Sequence, residues 1–215
     1  MTDFGHHHHH VGSASVHNLE YFDKEAASYD AKHQKTLDRL IEEIRDRLDF
    51  LGVDWVNDDD NDDEDQNRQA QNKSALAPYT TQCVGIDLSA NMGLAPSEMR
   101  AYQGNLCVPD DPNPAAFSGP EFFNFDIVAV GLGFHHFDDP ALAARRLAER
   151  LKDGGVLTIL DFLPHGKLDP SHSASATVTH HGFSEEQIRG IFEQAGVGKD
   201  FDLEEVGTVS FHISD

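Results

Sequence analysis

The chain has 215 residues, 39% of them hydrophobic, and a formal net charge of −22. That length suffices for one domain with its own core, while the charge excludes a non-specific nucleic-acid surface, which needs a basic stripe, and opposes docking on anionic membranes. No stretch approaches ~18 consecutive apolar residues and no charged-then-apolar leader opens the chain, so neither a membrane span nor a signal peptide is expected.

In chain order, "MTDFGHHHHHVGSAS" comes first, with a run of histidines of native or appended origin at His6–His10. Residues 1–18 are expected to be a disordered tail, with 19–215 forming a single domain. From Asn18 to Val53 the pattern is helical. Leu37, Leu40, Ile41, Ile44, Leu48 and Leu51 recur at three- and four-residue steps, and Gly52 is a stop signal. "YFDKEAASYD" (Tyr21–Asp30) mixes aromatics with charges and is expected to be a separate short helix. The acidic run Asn57–Asn67 follows. It sits in an insert at about 56–72 expected to be disordered, and no glycine occurs from Val53 to Gln82. A short helix is expected to end near Leu76–Pro78.

"CVGIDLS" (Cys83–Ser89) has the pattern of a buried strand. "SANMGLAPSEM" reads as a short loop or helix, "RAYQGNL" as a short strand, and the stretch after it as a proline-rich loop. "FDIVAVGLGFHHF" (Phe125–Phe137) begins as a continuous apolar run, the signature of a central parallel strand. Asp138 or Asp139 then caps a helix with Pro140 in its first turn, and Gly154 is expected to stop it. "VLTILDFLP" is a further strand. A helix follows with Ser184 and Gln187 at capping-box spacing, and "FDLEEVGTVSFHIS" is expected to be a last strand or hairpin. Strands alternating with helices imply an α/β fold: a Rossmann-like, doubly wound, mostly parallel sheet with flanking helices. The two cysteines, Cys83 and Cys107, lack zinc-type spacing. They are expected to be reduced thiols in a cytoplasmic protein.

Ligands of such a sheet sit beyond the carboxyl ends of its strands. Asp87 ends one strand and can accept hydrogen bonds from both hydroxyls of a ribose. Gly104 and Asn105 end the next, where a small residue and an amide suit a base edge. Gly131, Leu132, Gly133, Phe134, His135 and His136 follow the strongest strand. His135 and His136 are candidates for a crevice-lining or general-base role. As strand neighbours they would point opposite ways, so no shared metal is expected. Asp161 reads as structural, His180–His181 as a loop element, and Glu185 and Glu186 as partners of a helix dipole.

The blocks "CVGIDLSANM", "YQGNL", "FDIVAVGLGFHHFDDPALAARRLAERLKDGGVLTILDFLP" and "HHGFSEEQIRGIFEQAGV", in that order, resemble class I S-adenosylmethionine-dependent methyltransferases of the small-molecule branch (ubiquinone and fungal-metabolite type). The resemblance spans roughly Tyr21–Phe211. It implies S-adenosylmethionine as cofactor and a small-molecule acceptor as substrate. It further implies that Asp87, with Leu88 beside it, binds the ribose, that Met92 and Asn105 lie by the adenine, and that Gly104 and Gly131–His136 line the crevice. The segment Tyr21–Asp30 resembles the family's lid helix. The family's first strand and glycine loop, which cradle the methionine moiety, have no counterpart from Val53 to Gln82. The family's last antiparallel strand is also expected to be missing. The resemblance thus leaves two readings, a methyltransferase impaired in cofactor binding and a non-catalytic relative or defective isoform. A nicotinamide-dependent oxidoreductase would need the same glycine loop.

Overall fold

The computed structural model describes residues 13–56, 74–91, 99–167 and 173–208. The histidine run, the acidic insert, Met92 and the end of the expected last strand lie outside them. The first element is a single helix, α1 (Ser13–Arg45, 33 residues). It takes in Tyr21–Asp30, which the sequence pattern set apart, and begins within the stretch expected to be a tail. The reason is local. No glycine or proline interrupts Ser13–Arg45, so nothing breaks the hydrogen-bond ladder. A looser turn carries the chain on to Gly52, whose φ of 69° is the left-handed stop expected there.

Two strands, β1 (Val84–Asp87) and β2 (Arg100–Gln103), pair in parallel from Val84 opposite Arg100 to Asp87 opposite Gln103. The short helix expected near Leu76–Pro78 is one 3-10 turn at Ala77–Tyr79. Next come β3 (Phe125–Gly131), α2 (Pro140–Ala148) and β4 (Leu151–Leu160), a parallel β–α–β unit, and α3 (Glu185–Gln194) packs on α2. Asp139 caps α2, its side chain accepting from Leu142 N at 2.9 Å. Ser184 and Gln187 close a complete capping box on α3. Both caps are as the sequence predicted.

Gly154 does not stop α2. The helix ends at Ala148 with Glu149 as its cap, and Gly154 (φ 79°) lies inside an irregular start of β4. There the pairing jumps from Phe125–Leu151 to Ile127–Val156, and the surplus residues bulge out. β3 also ends sooner than its apolar run suggested: Phe134–His136 form a 3-10 turn. No strand occurs at residues 201–208.

The strands form two separate parallel pairs, β1–β2 and β3–β4, and not one continuous sheet among the described residues. In a doubly wound sheet the first strand in sequence lies mid-sheet, between the second and the fourth. A sheet of that order lacking this strand would fall into pairs like those among the described residues. β3 is accordingly not the buried central strand its sequence resembles. None of its seven residues is fully buried, and Ala129 is exposed.

The larger core lies under β3–β4, where Phe134, Ala143, Ala144, Leu157, Phe183 and Ile188 pack together. A smaller one, Leu106, Phe117 and Phe122, supports β1. Cys107 and Leu147 touch both, so the two halves share one apolar seam. Among the described residues no helix is long and apolar enough to cross a membrane.

Candidate active site

Helix α1 spans the carboxyl ends of both strand pairs. Ser15, Asn18 and Phe22 recur at helical spacing and form one stripe. Ser15 Oγ donates to Asp138 at 2.9 Å, Asn18 Nδ2 donates to the His136 carbonyl at 3.1 Å, and the Phe22 ring meets the His136 ring edge-on at 5.3 Å. One residue further, Asp23 accepts from Ser89 Oγ and, at 3.4 Å, from Asn91 Nδ2. The tips of β1 and β3 thus converge under the amino-terminal half of α1, which includes part of the segment Tyr21–Asp30 likened to a lid.

Asp87 stands at the tip of β1. Its Oδ1 accepts from Ser89 N at 2.7 Å in a tight local turn. The surrounding protein pushes its carboxyl above the usual range, chiefly by desolvation. The Asp23 carboxylate adds to this and the Ser89 N–H opposes it. Leu88 is half-buried and its carbonyl accepts from Gln103 Nε2 at 3.1 Å. Gly104 N donates to Asp87 O at 2.8 Å, tying the two strand ends together. Gly104 has a structural reason to be glycine, because a Cβ there would lie 2.1 Å from Phe117 Cζ. Asn105 spends its Oδ1 on Cys107 N at 2.7 Å, leaving the amide N–H groups for a ligand.

Beyond β3, a Cβ built on Gly131 meets nothing within 4 Å, so the space there is open. Leu132 is held at φ 52° while its N–H donates to Leu160 O at 2.7 Å. A left-handed leucine costs energy and is strain of the kind that gathers at functional sites.

His135 and His136 do not point opposite ways. The 3-10 turn replaces the alternation of a strand and brings their rings to 4.0 Å. His135 is buried. Its N donates to Asp161 Oδ2 at 3.0 Å and its Nδ1 lies 2.8 Å from Asp161 Oδ1, which also accepts from Phe162 N at 2.7 Å. His136 Nδ1 sits 2.6 Å from the Thr177 carbonyl. Burial, aided by the neighbouring His135 ring, pushes His136 down to about 4, so it stays neutral at physiological pH. The loop before α3 is latched to the same turn, with the N–H groups of Thr179 and His180 both donating to His135 O. Neither cysteine is set up as a nucleophile: burial raises both thiols, Cys107 to about 11.

Of the expected site residues, Asp87, Leu88, Gly104 and Asn105 lie together at the β1–β2 end, and Gly131, Leu132, His135 and His136 at the β3 end. Met92 falls outside the described residues. Phe22 and Asp23 belong to the segment Tyr21–Asp30 likened to a lid, while sequence reasoning missed Asn18, which carries no motif, and Thr177, which acts through its backbone. It read Asp161 as structural but not as the partner of His135. The parallel register, with Gly131 opposite Leu160, holds the signal, since it sets Asp161 beside the turn after β3.

S-adenosylmethionine fits one half of this site. The free oxygen of Asp87, the amide of Asn105 and the open space at Gly131 suit a ribose and an adenine. No glycine loop for the methionine end occurs among the described residues. Residues 68–157, less than half of the chain, match a family model described as a methyltransferase domain. No curated protein and no solved structure matches the chain. The matched stretch runs from the acidic insert into β4, so it takes in β1, β2, β3 and α2 and leaves out α1 and α3, and it marks these residues as methyltransferase-like.

Proposed function

We propose that this chain is a methyltransferase-like protein of the small-molecule branch, using S-adenosylmethionine and weakened in holding it. The observation that carries the reading is Asp87. It is a carboxylate at the carboxyl tip of a parallel strand, within the methyltransferase-like stretch, with one oxygen free for a ribose. Asn105 and Met92 would lie by the adenine, with Leu88 beside the ribose, and Gly131, Leu132, His135 and His136 would line the crevice shared by cofactor and acceptor. The cofactor supplies an activated methyl group. The protein's part is to align an acceptor oxygen or carbon with it and exclude water. The lid-like placement of Asn18, Phe22 and Asp23 supports that role. The acceptor is a small molecule, and the acidic charge disfavours nucleic acid and anionic membranes as partners. Free Cys83 and Cys107 support a cytoplasmic setting.

Calorimetric titration with S-adenosylmethionine tests this. Without a methionine cradle the expected dissociation constant is weak, about 1 mM or somewhat below. The absence of any heat at millimolar cofactor would overturn the reading. It would favour the second one, a non-catalytic relative, which the split into two strand pairs supports.

A further inference from the structure

Ser89 lies two residues beyond the tip of β1 and is only 2% exposed. A buried hydroxyl needs partners, and this one has two. It accepts from Asn91 N at 3.1 Å and donates to Asp23 Oδ1, because a carboxylate only accepts. Its own backbone N–H donates to Asp87 Oδ1 at 2.7 Å. One residue therefore touches both the carboxylate on α1 and the carboxylate that ends β1.

The two carboxylates are left with different freedom. Asp23 Oδ1 also accepts from Asn91 Nδ2 at 3.4 Å, so α1 grips both ends of the turn Ser89–Asn91. Asp87 is solvent-accessible, and its Oδ2 has no hydrogen-bond partner among the described residues. Its backbone is fixed separately, its carbonyl accepting from Gly104 N at 2.8 Å. The strand thus sets where the carboxyl group starts, and the Ser89 N–H sets which way it turns. Without that bond the Asp87 side chain regains its rotamers, and a grip on two neighbouring hydroxyls needs one fixed rotamer. The turn that presents the N–H is held by the Ser89 hydroxyl, which ties it to itself at Asn91 and to α1 at Asp23.

We propose that Ser89 is a positioning residue for the vicinal diol of a nucleoside, and that through it the seating of α1 and the grip of Asp87 on that diol form one equilibrium. With Asp23 on Ser89, Asp87 faces the diol ready-made, and the diol in turn favours the seated helix by the same factor. Ser89 and Asp23 touch no ligand and act only through Asp87. The proposal rests on the ribose reading of Asp87.

The test uses the full chain and two probes at millimolar concentration, adenosine and 2′,3′-dideoxyadenosine, which lacks the diol. Ligand-observed magnetic resonance reads binding, and amide hydrogen exchange reads α1. The wild type should bind adenosine about fivefold more tightly than the dideoxy probe, and adenosine alone should slow exchange across Tyr21–Ala26 about fivefold. Ser89→Ala and Asp23→Ala should each cut the preference to about twofold or less, leave the dideoxy constant unchanged and remove the slowing. A purely structural Ser89 would weaken both probes alike, and that result overturns the proposal. An undiminished preference on either variant overturns it too, as does adenosine binding that leaves α1 exchange unchanged. Asp23 is exposed, so Asp23→Ala decides the matter should Ser89→Ala fold poorly. Calorimetry with S-adenosylmethionine separates this proposal from the reading beneath it. Heat with cofactor but no preference for the diol rejects the Ser89 proposal alone, and no heat at millimolar cofactor rejects the reading on which it stands.

Discussion

The β1–β2 half and the β3–β4 half share a strand geometry and differ in what covers them. β3 and β4 are joined by α2, which lays Leu142, Ala143 and Ala144 on the sheet, and α3 adds Ile188 and Phe192. β1 and β2 are four residues each, no β2 residue is buried, and only Leu106, Phe117 and Phe122 support them. A parallel pair gains its stability from helices that cover its faces, because the backbone bonds alone add little net free energy. Asp87 and Asn105, which we propose face the cofactor, therefore stand on the weaker half, and the histidine turn on the stronger one.

The largest expected effect that tests this contrast is Phe134→Ala. Phe134 is fully enclosed, against Phe137 and Phe183, and its loss should cost about 3–5 kcal/mol in a urea titration. A cost under about 2 kcal/mol would break the view that this core dominates.

Next comes acid sensitivity. The ordinary histidine value is 6.5, and the folded protein holds His136 near 4. Between these values the unfolded chain binds the extra proton. The stability contributed by neutral His136 is thus present in full above 6.5 and lost as pH falls to about 4, on the order of 3 kcal/mol in all. The His136→Gln protein should show a flatter acid limb between those values, and an unchanged slope would show that His136 does not set it.

Ser184→Ala removes the α3 capping box and should cost about 1 kcal/mol, read as a lowered melting temperature. It would sharpen the contrast by weakening the strong half at one end without touching its core.

The smallest effect belongs to β2. Tyr102 is 36% exposed and meets Phe122 edge-on at 5.0 Å, so Tyr102→Ala should cost about 1 kcal/mol or less. A loss rivalling that of Phe134→Ala would mean that the β1–β2 half is not the weaker one.

Several of these features were readable without coordinates. The Asp139 cap and the Ser184–Gln187 box depend on contacts three residues apart, so the local pattern contained them. The starts of β1 and β3 also followed from their apolar runs. Gly154 was misleading because a glycine after a helix and a glycine in a bulge look alike until the partner strand is known. The break within α1 did not occur because charges among aromatics do not interrupt a helix that lacks glycine and proline. The turn Phe134–His136 was mistaken for strand because its residues are as apolar and aromatic as those before it.

By itself, the sequence determined the caps of α2 and α3 and the carboxylate at the tip of β1, since these rest on spacings within one or two helical turns. It also showed that no glycine occurs from Val53 to Gln82. Tertiary structure alone decided that the strands among the described residues form two pairs, that the His135 and His136 rings meet at 4.0 Å, and that Asp161 and Asn18 reach this turn. Those outcomes depend on which distant residues meet, and free energies of pairing and burial across the chain are not written in any local window.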